Sequence, residues 1–541
     1  MSERDLVRTA EEVFGWTELR DEQLLAMRHL LDGRDVLVVM PTGAGKSAIY
    51  QVPAILLDGP TVVVSPLIAL QRDQVTALRT TNAPPAAAVN SAQQPEANEQ
   101  AWQAFADGTT EYLFLSPEQL AAGTTVERLR QRRPSLFVVD EAHCVSAWGH
   151  DFRPDYLRLR HVIEQLGRPV VLALTATASS PVRADVAEHL GLRDPVVIVA
   201  GFDRPNLHLT VRQCTDEDDR GRAVTEWVTE RAGPGLLYAA TRKDTERYAD
   251  ELAAKGVRAA AFHAGMRAAD RRRVQDGFMR GDLDVVAATS AFGMGIDKPD
   301  VRFVAHAATP GSLDAYYQEI GRAGRDGEPA EVILFHRPED QGLQRFLTGR
   351  KVDRECVREV AEAVRRSGTT LAELTRDHSR RKITAIVNLL ESAGIVRTSR
   401  DAVRYADDAP PPDEAVEAAA QQAERQVRRD RSRIEVMREY AGTRGCRRRF
   451  LLGYFGQELD GPCGHCDRCD EGVPGSSPAS DYPPNCSVRH EKWGNGVVVH
   501  HEDDRIMVLF DDVGYKTLSL AALSGTGILT VQPRSGSSDT E

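Results

Sequence analysis

From Asp35 to about Phe335 the chain alternates short β-branched, apolar runs with stretches of helical character, and this alternation restricts the fold more than any other feature. The runs include Asp35–Met40 (DVLVVM), Thr61–Ser65 (TVVVS), Leu136–Asp140 (LFVVD) and Val170–Leu174 (VVLAL). They are apolar nearly throughout, so both faces must be covered, as in a parallel sheet held between helices. The pattern restarts at Gly235–Ala239 (GLLYA), Arg258–Phe262 (RAAAF), Asp284–Ala287 (DVVA) and Val301–His306. Two such blocks predict two α/β units, joined near Gly201–Pro205.

Beyond residue 342 the sequence becomes charged and helical. Asp407–Asp413 (DDAPPPD) reads as a linker because adjacent prolines exclude a helix, and Gly472–Pro484 reads as a second. From Val488 to about Gln532 short strands alternate with turns. The predicted units are therefore 1–200, 201–342, 343–410, 411–475, a linker at 476–487, and 488–541. A chain of 541 residues is too long for one core, and 41% hydrophobic with 27% charged residues describes a soluble globular protein. No run can span a bilayer, and the opening MSERDLVRTAEEVFGW lacks a signal-peptide core, so a cytoplasmic protein without membrane partners is expected. The net charge of −12 excludes a general polycation, and any nucleic-acid surface must be a local basic groove.

Met40-Pro-Thr-Gly-Ala-Gly-Lys-Ser47 follows a predicted strand and opens a predicted helix, the context of a phosphate-binding loop. Backbone groups of Thr42, Gly43, Ala44 and Gly45 would approach the phosphates, Lys46 would reach the β/γ-phosphates, and Ser47 would hold Mg²⁺. Met40 stands where the strict pattern has glycine. Leu136–Asp140 then delivers Asp140-Glu-Ala-His143 at a strand end. Asp140 suits a second Mg²⁺ ligand, and Glu141 a base that positions the attacking water. A carboxylate pair at a strand end is usually just solvated; beside a phosphate loop it completes a nucleotide site. In the second block, Tyr316-Tyr-Gln-Glu-Ile-Gly-Arg-Ala-Gly-Arg-Asp326 carries Arg322 and Arg325, which share one face if the stretch is helical. Arginine fingers are worth about 10³–10⁵ in rate.

Together these motifs resemble superfamily 2 helicases, and the segments between them resemble the RecQ family. Phe14-Gly-Trp-Thr-Glu-Leu-Arg-Asp-Glu-Gln23 is similar to the family's adenine motif. The resemblance implies that Trp16 stacks on adenine, Gln23 reads its edge and Arg20 supports the phosphates. Ser65-Pro-Leu-Ile-Ala-Leu-Gln-Arg-Asp-Gln-Val75 and Thr175-Ala-Thr177 match further family motifs. So does Ala291-Phe-Gly-Met-Gly-Ile-Asp-Lys-Pro-Asp-Val-Arg302, which adds Gly295 and Asp297 to the nucleotide site; Gln318 is placed at the γ-phosphate by the same resemblance. The most specific match is Cys144-Val-Ser-Ala-Trp-Gly-His-Asp-Phe-Arg-Pro154, which resembles the aromatic-rich loop that couples DNA contact to hydrolysis. Trp148 and Phe152 offer stacking platforms beside His150 and Arg153, and each stacked base contributes about 1–3 kcal/mol. The fold implied is two tandem RecA-like parallel-sheet domains, then a helical or winged-helix-like insert, a zinc-binding helical segment and a small all-β barrel.

Cys446, Cys463, Cys466 and Cys469 form a C-x₁₆-C-x₂-C-x₂-C pattern. Four thiolates complete a tetrahedral zinc shell with no open position, which reads as structural. An iron–sulfur cluster is the rival use of four cysteines; the RecQ resemblance favours zinc. Cys144, Cys214, Cys356 and Cys486 show no metal spacing.

Thr369 to Val396 reads as short helix, turn, amphipathic helix, glycine and β-prone pair. This outline is either a winged helix, with Arg380, Arg381 and Lys382 at the start of a DNA-facing helix, or a plain helical insertion. The segment from Val488 resembles the small Tudor-like barrel of UvrD-type helicases, which implies a protein or nucleic-acid partner. At least two of Trp493, Phe510 and Tyr515 are expected in its core.

The resemblance implies an ATP-dependent DNA helicase, with ATP, Mg²⁺ and Zn²⁺ as cofactors, moving 3′→5′ on single-stranded and tailed duplex DNA in repair and recombination. The alternative is a DNA-dependent ATPase that remodels without processive unwinding. Intact Lys46, Asp140, Glu141, Gln318, Arg322 and Arg325 speak against an inactive scaffold.

Overall fold

The computed structural model describes residues 3–120, 123–146, 148, 152–293, 298–339, 342, 352–376, 378–399, 402–472, 481–502 and 504–532. The first block forms β1 (Val36–Val39), β2 (Thr61–Val64), β3 (Ala86–Val89), β4 (Tyr112–Leu115), β5 (Leu136–Val139), β6 (Val170–Thr175) and β7 (Val196–Val199). These pair in the order β3-β4-β2-β5-β6-β1-β7, parallel throughout. All residues of β1, β2, β4 and β5 are buried, which is why these strands read as unbroken apolar runs. β3 is three alanines and a valine, a weak strand former by itself, fixed by its pairing with β4.

The second block forms β8 (Leu207–Gln213), β9 (Gly235–Tyr238), β10 (Ala259–Phe262), β11 (Val285–Ala288), β12 (Phe303–His306) and β13 (Ala330–His336). Their order is β10-β11-β9-β12-β13-β8, again parallel. β1, β5 and β9 sit inside their sheets, so the loops after their carboxyl ends face a common cleft, where ligands of such sheets bind.

Residues 352–405 settle the choice between two sequence readings. Helix Arg354–Ser367, β14 (Thr369–Thr370), helix Leu371–Leu374, helix Arg380–Ser392, β15 (Val396–Ser399) and β16 (Ala402–Tyr405) follow in winged-helix order. The three strands form one antiparallel sheet, β14-β16-β15, over a core of Val357, Val360, Ile383, Val387, Leu390 and Val403. Thr370 and Glu373 form a reciprocal capping box at the short helix, and Ser379 caps the next. The unit docks on the first α/β unit through the Arg158–Glu391 ion pair (2.6 Å).

A 31-residue helix, Pro412–Gly442, begins inside the expected proline linker. Pro412 occupies the first turn, where its missing N–H would have had no partner, so the prolines start a helix instead of excluding one. The cysteine segment follows, with helix Arg447–Tyr454 and the single turn Asp467–Asp470. The terminal strands are β17 (Ser487–His490), β18 (Gly494–Glu502), β19 (Arg505–Phe510), β20 (Gly514–Ser519) and β21 (Leu529–Val531), antiparallel in the order β20-β19-β18-β17-β21. Phe510 lies in the sheet's own core, with half-buried Trp493 packed against it and stacked on His490, whereas Tyr515 is buried outside that core, against Tyr454. Among the described residues β20 does not pair with β21; β20 lies along the 31-residue helix, where Thr517 meets Glu439. No helix of the described residues is long and apolar enough to cross a membrane.

Candidate active site

The cleft between the two large sheets holds a cavity of about 450 Å³. The first unit lines it with Thr42, Gly43, Gly45, Lys46, Ser47, Ser65, Gln71, Asp140 and Glu141; the second adds Gln318, Arg322 and Arg325. Three motifs far apart in sequence thus converge on one volume.

The phosphate loop leaves β1 and turns through Gly43 and Gly45, both at positive φ (83° and 77°). A side chain at Gly45 would also meet Gln23 Nε2 at 2.7 Å, so this position needs glycine twice over. Gln23 Nε2 donates to the Ala44 and Gly45 carbonyls (3.2 and 2.9 Å), and its Oε1 accepts from Arg20 N–H (2.8 Å). This residue therefore fastens the adenine motif to the loop. Trp16 stacks on Phe14 (4.5 Å, 12°), while Arg20 is exposed; neither lines the cavity. Lys46 Nζ donates to the carbonyls of Met40 (3.0 Å) and Pro41 (3.2 Å). Burial lowers its pKa, against the pull of Glu141 and Asp140.

Asp140 ends the buried strand β5. Burial, then the neighbouring Glu141, pushes its carboxyl up to about 6 against the attraction of Lys46. Ser65 Oγ donates to Asp140 Oδ2 (3.3 Å), and Gln71 Nε2 in turn donates to Ser65 O (2.9 Å). The motif after β2 thus orients the carboxylate. Glu141 has φ 49°, a left-handed conformation rare outside glycine, and its N–H donates to Asp140 Oδ1 (3.0 Å). His143 Nδ1 lies 3.3 Å from Glu141 Oε2 and 2.9 Å from Thr175 Oγ1. Thr175 also donates to Thr177 O (3.1 Å), so the Thr-Ala-Thr motif reaches Glu141 through one histidine.

Arg322 and Arg325 do not lie on a helix. The helix Leu313–Ile320 ends before them at its C-cap Gly321, and Gly324 then turns the chain at φ 56°, where a Cβ would lie 2.8 Å from Glu328 O. Both arginines still reach the cavity. Arg322 is 4% exposed, and its Nε has no acceptor among the described residues, as a site for an anion requires. Gly295 and Asp297 lie outside the described residues.

The four cysteines Cys446, Cys463, Cys466 and Cys469 converge with all ligand atoms within 4.8 Å of one another. Cys463 Sγ and Cys469 Sγ are 3.7 Å apart, against about 3.8 Å for tetrahedral zinc with Zn–S bonds of about 2.3 Å. The donor set fits zinc. Arg447 locks the segment by pairing with Asp467 (2.6 Å) and donating to Tyr440 O (3.0 Å). Gln457 accepts from Phe202 N–H (2.6 Å), and Phe455 stacks on Phe202 (4.6 Å), so the segment also grips the joint between the two sheets. A second trio, Cys356, Glu359 and His378, has ligand atoms within 4.8 Å, which spacing alone did not reveal. Lys382, paired with Asp353 at 2.8 Å, sits against that thiol and disfavours a cation there.

Sequence profiles of three families match: the DEAD/DEAH box helicase over residues 20–185, the helicase conserved C-terminal domain over 220–327, and RecQ zinc-binding over 406–470. The probable ATP-dependent DNA helicase RecS of Bacillus subtilis is 39% identical over 381 residues, covering 70% of this chain and 75% of that protein. The chain belongs to the RecQ family of superfamily 2 helicases. The ATP-dependent DNA helicase RecQ of Haemophilus influenzae is 36% identical over 459 residues, 84% of this chain, which spans 62% of that longer relative. The crystal structure of the DUF1998 helicase MrfA bound to DNA shares the fold, with a TM-score of 0.53 over 76% of this chain and 63% of that one at 15% identity.

In this RecQ-family chain the aromatic-rich loop starts from the DEAH turn: Arg153 N–H donates to Cys144 O (2.9 Å) and Arg153 Nη1 to Pro66 O (3.2 Å). Arg153 also lines a second interdomain cavity with Gln318 and Arg322, next to the nucleotide cavity. Trp148 is 8% exposed, and the Arg429 guanidinium lies 4.2 Å from its ring centroid. The expected stacking platform therefore carries a cation from the Pro412–Gly442 helix. Nothing local in the sequence marked Arg429 for this contact. Phe152 is half-buried, and His150 lies outside the described residues. In the winged helix Arg380 is exposed, while Lys382 is half-buried and paired with Asp353.

Proposed function

We propose that this RecQ-family chain is an ATP-dependent DNA helicase that moves 3′→5′ along single-stranded and tailed duplex DNA, in repair and recombination. The observation that carries the reading is the single cavity lined by Lys46, Asp140 and Glu141 from one sheet and Gln318, Arg322 and Arg325 from the other. Closing that cleft brings cations onto a γ-phosphate, and opening it withdraws them, so hydrolysis drives relative motion of the two units. Ser47 and Asp140 are the residues that would hold Mg²⁺, which would neutralise charge developing on the phosphates. Glu141 orients the attacking water, with His143, itself held by Thr175, beside its carboxylate. Trp16, Arg20, Gln23, Gly295 and Asp297 complete the adenine and sugar–phosphate contacts. Trp148, His150, Phe152 and Arg153 meet the translocating strand.

Arg380, Arg381 and Lys382, at the start of the helix Arg380–Ser392, are the residues we assign to duplex contact, a reading that favours strand separation over translocation alone. The domain boundaries proposed above accompany this reading, as does a cytoplasmic location. The surface of the terminal sheet turned from the motor, including exposed Val531, is the place for a protein partner. The deciding experiment measures ATP turnover and strand separation on 3′-tailed, 5′-tailed and blunt duplexes, with Lys46→Ala as control. Turnover without separation would leave only a translocase, and preference for a 5′ tail would overturn the polarity.

A further inference from the structure

The terminal sheet does not hang free from the motor. A buried chain of hydroxyl and carboxyl groups leads from it to the helix that carries Gln318 into the nucleotide cleft. Tyr454 O–H donates to Asp314 Oδ2 at 2.6 Å, and Tyr515 Oη lies 3.0 Å from Tyr454 Oη. Because the Tyr454 hydrogen is used on Asp314, Tyr515 is the donor to Tyr454. All three side chains are buried. Asp314 is the second residue of the helix Leu313–Ile320, which carries Gln318 and leads directly into the turn of Arg322 and Arg325. Its carboxylate sits at the positive end of that helix, and Arg433 and His143 of the DEAH turn lie within its electrostatic reach. The Tyr515 hydroxyl also faces Ser179, just past the Thr-Ala-Thr motif of the first unit. Four parts of the chain meet at this cluster.

The approach that makes the cluster possible is built in. Gly514 has φ 77°, and a Cβ there would lie 2.2 Å from Ser432 Oγ, so only glycine lets β20 settle on the Pro412–Gly442 helix. Thr517, two residues past Tyr515, donates to the Glu439 carboxylate (2.6 Å) on that same helix. Burial, ahead of Asp314, pushes the Tyr515 phenol up to about 12, which keeps it a donor at working pH.

We propose that Tyr515 is a positioning residue for the nucleotide site, holding the Gln318–Arg325 segment in register through Tyr454 and Asp314. The terminal sheet is then a part of the ATPase as well as an appended module. This inference rests on the reading that the cleft hydrolyses ATP.

The test uses the full chain and DNA-stimulated ATP turnover. Tyr515→Phe removes one hydroxyl and keeps the ring; kcat should fall about three- to tenfold, the scale of one buried hydrogen bond, with KM for ATP unchanged. Thr517→Val, on the same strand but outside the relay, should lower Tm as Tyr515→Phe does, each losing one hydrogen bond, and leave kcat unchanged. A wild-type kcat in Tyr515→Phe overturns the inference, as does kcat falling in both variants in step with Tm. A wild-type chain that turns over no ATP overturns the function reading and this inference together, and that arm is read first.

Discussion

Arg325 of the second RecA-like unit lies against Gly43 of the phosphate loop, so closely that a Cβ on Gly43 would meet Arg325 Cγ at 3.4 Å and Cδ at 3.5 Å. Arg325 therefore lies immediately beside the phosphate loop across the cleft, with room at Gly43 for no more than a Cβ. Arg325→Ala removes a positive charge at the developing γ-phosphate charge without touching the loop. The kcat for ATP should fall by about 10³-fold or more, with KM changed little. An equal rise in KM at constant kcat would show that Arg325 only binds ground-state nucleotide.

Asp140 supplies a pH signature. Burial raises its pKa from 3.8 to about 6, so the native chain holds a proton there that the unfolded chain has released. Between about pH 4 and 6 the native state binds more protons, and this group's contribution to stability falls as pH rises. Above pH 6 its buried charge is destabilising. Asp140→Asn should therefore raise Tm at pH 7.5 by about 2–4 °C while abolishing turnover. Without Mg²⁺ or nucleotide this carboxyl should titrate near 6, where an ordinary aspartate titrates near 3.8; the Tm of wild type and Asp140→Asn followed against pH checks this.

Zinc should be structural. Cys463→Ser, or prolonged chelation, removes one or all thiolate contacts that hold the segment gripping Phe202 and β8. Metal content should drop from one zinc per chain, and the first thermal transition should fall by well over 5 °C. ATP turnover would fail only after that transition shifts. Full stability after metal loss would exclude a structural role.

Trp148 and Arg429 form a covered platform. A base can stack on that face only when Arg429 withdraws, so DNA engagement should change the indole environment. Trp148→Ala should lower DNA-stimulated turnover at least about tenfold, while DNA-free turnover stays within about twofold. Equal loss in both conditions would assign Trp148 to the core alone.

The winged helix gives a salt-dependent prediction. Replacing Arg380, Arg381 and Lys382 together by alanine should weaken duplex binding and reduce the salt slope by about 2–3. Lys382 is paired with Asp353, so its single substitution should change the slope least. An unaltered slope in the triple variant would remove this helix from the DNA interface.

The motor was legible because its chemistry is written in contiguous strings. Met40–Ser47 follows an apolar strand, Asp140–His143 ends another, and strand runs buried on both faces betray a parallel sheet. The zinc shell was legible for a similar reason, since C-x₂-C brings thiolates together within one turn. Whether the stretch around Arg322 and Arg325 is helical was not legible, because its path past Gly321 is held by partners such as Asn206, which donates to Gly324 O and which no local pattern connects to it.

By itself, then, the sequence determined the two parallel sheets and the cysteine ligand set through periodicity and close spacing, and Lys46, Ser47, Asp140 and Glu141 through their motifs, while Gln318 came from the family resemblance. Only the tertiary structure decided that Arg429 covers Trp148, that Gln71 and Ser65 aim Asp140, and that Tyr515 reaches Asp314 through Tyr454. Trp148 and Arg429 lie hundreds of residues apart, as do Tyr515 and Asp314. Such contacts have no period and no motif; they exist because packing brings distant buried polar groups together, where each must find a partner.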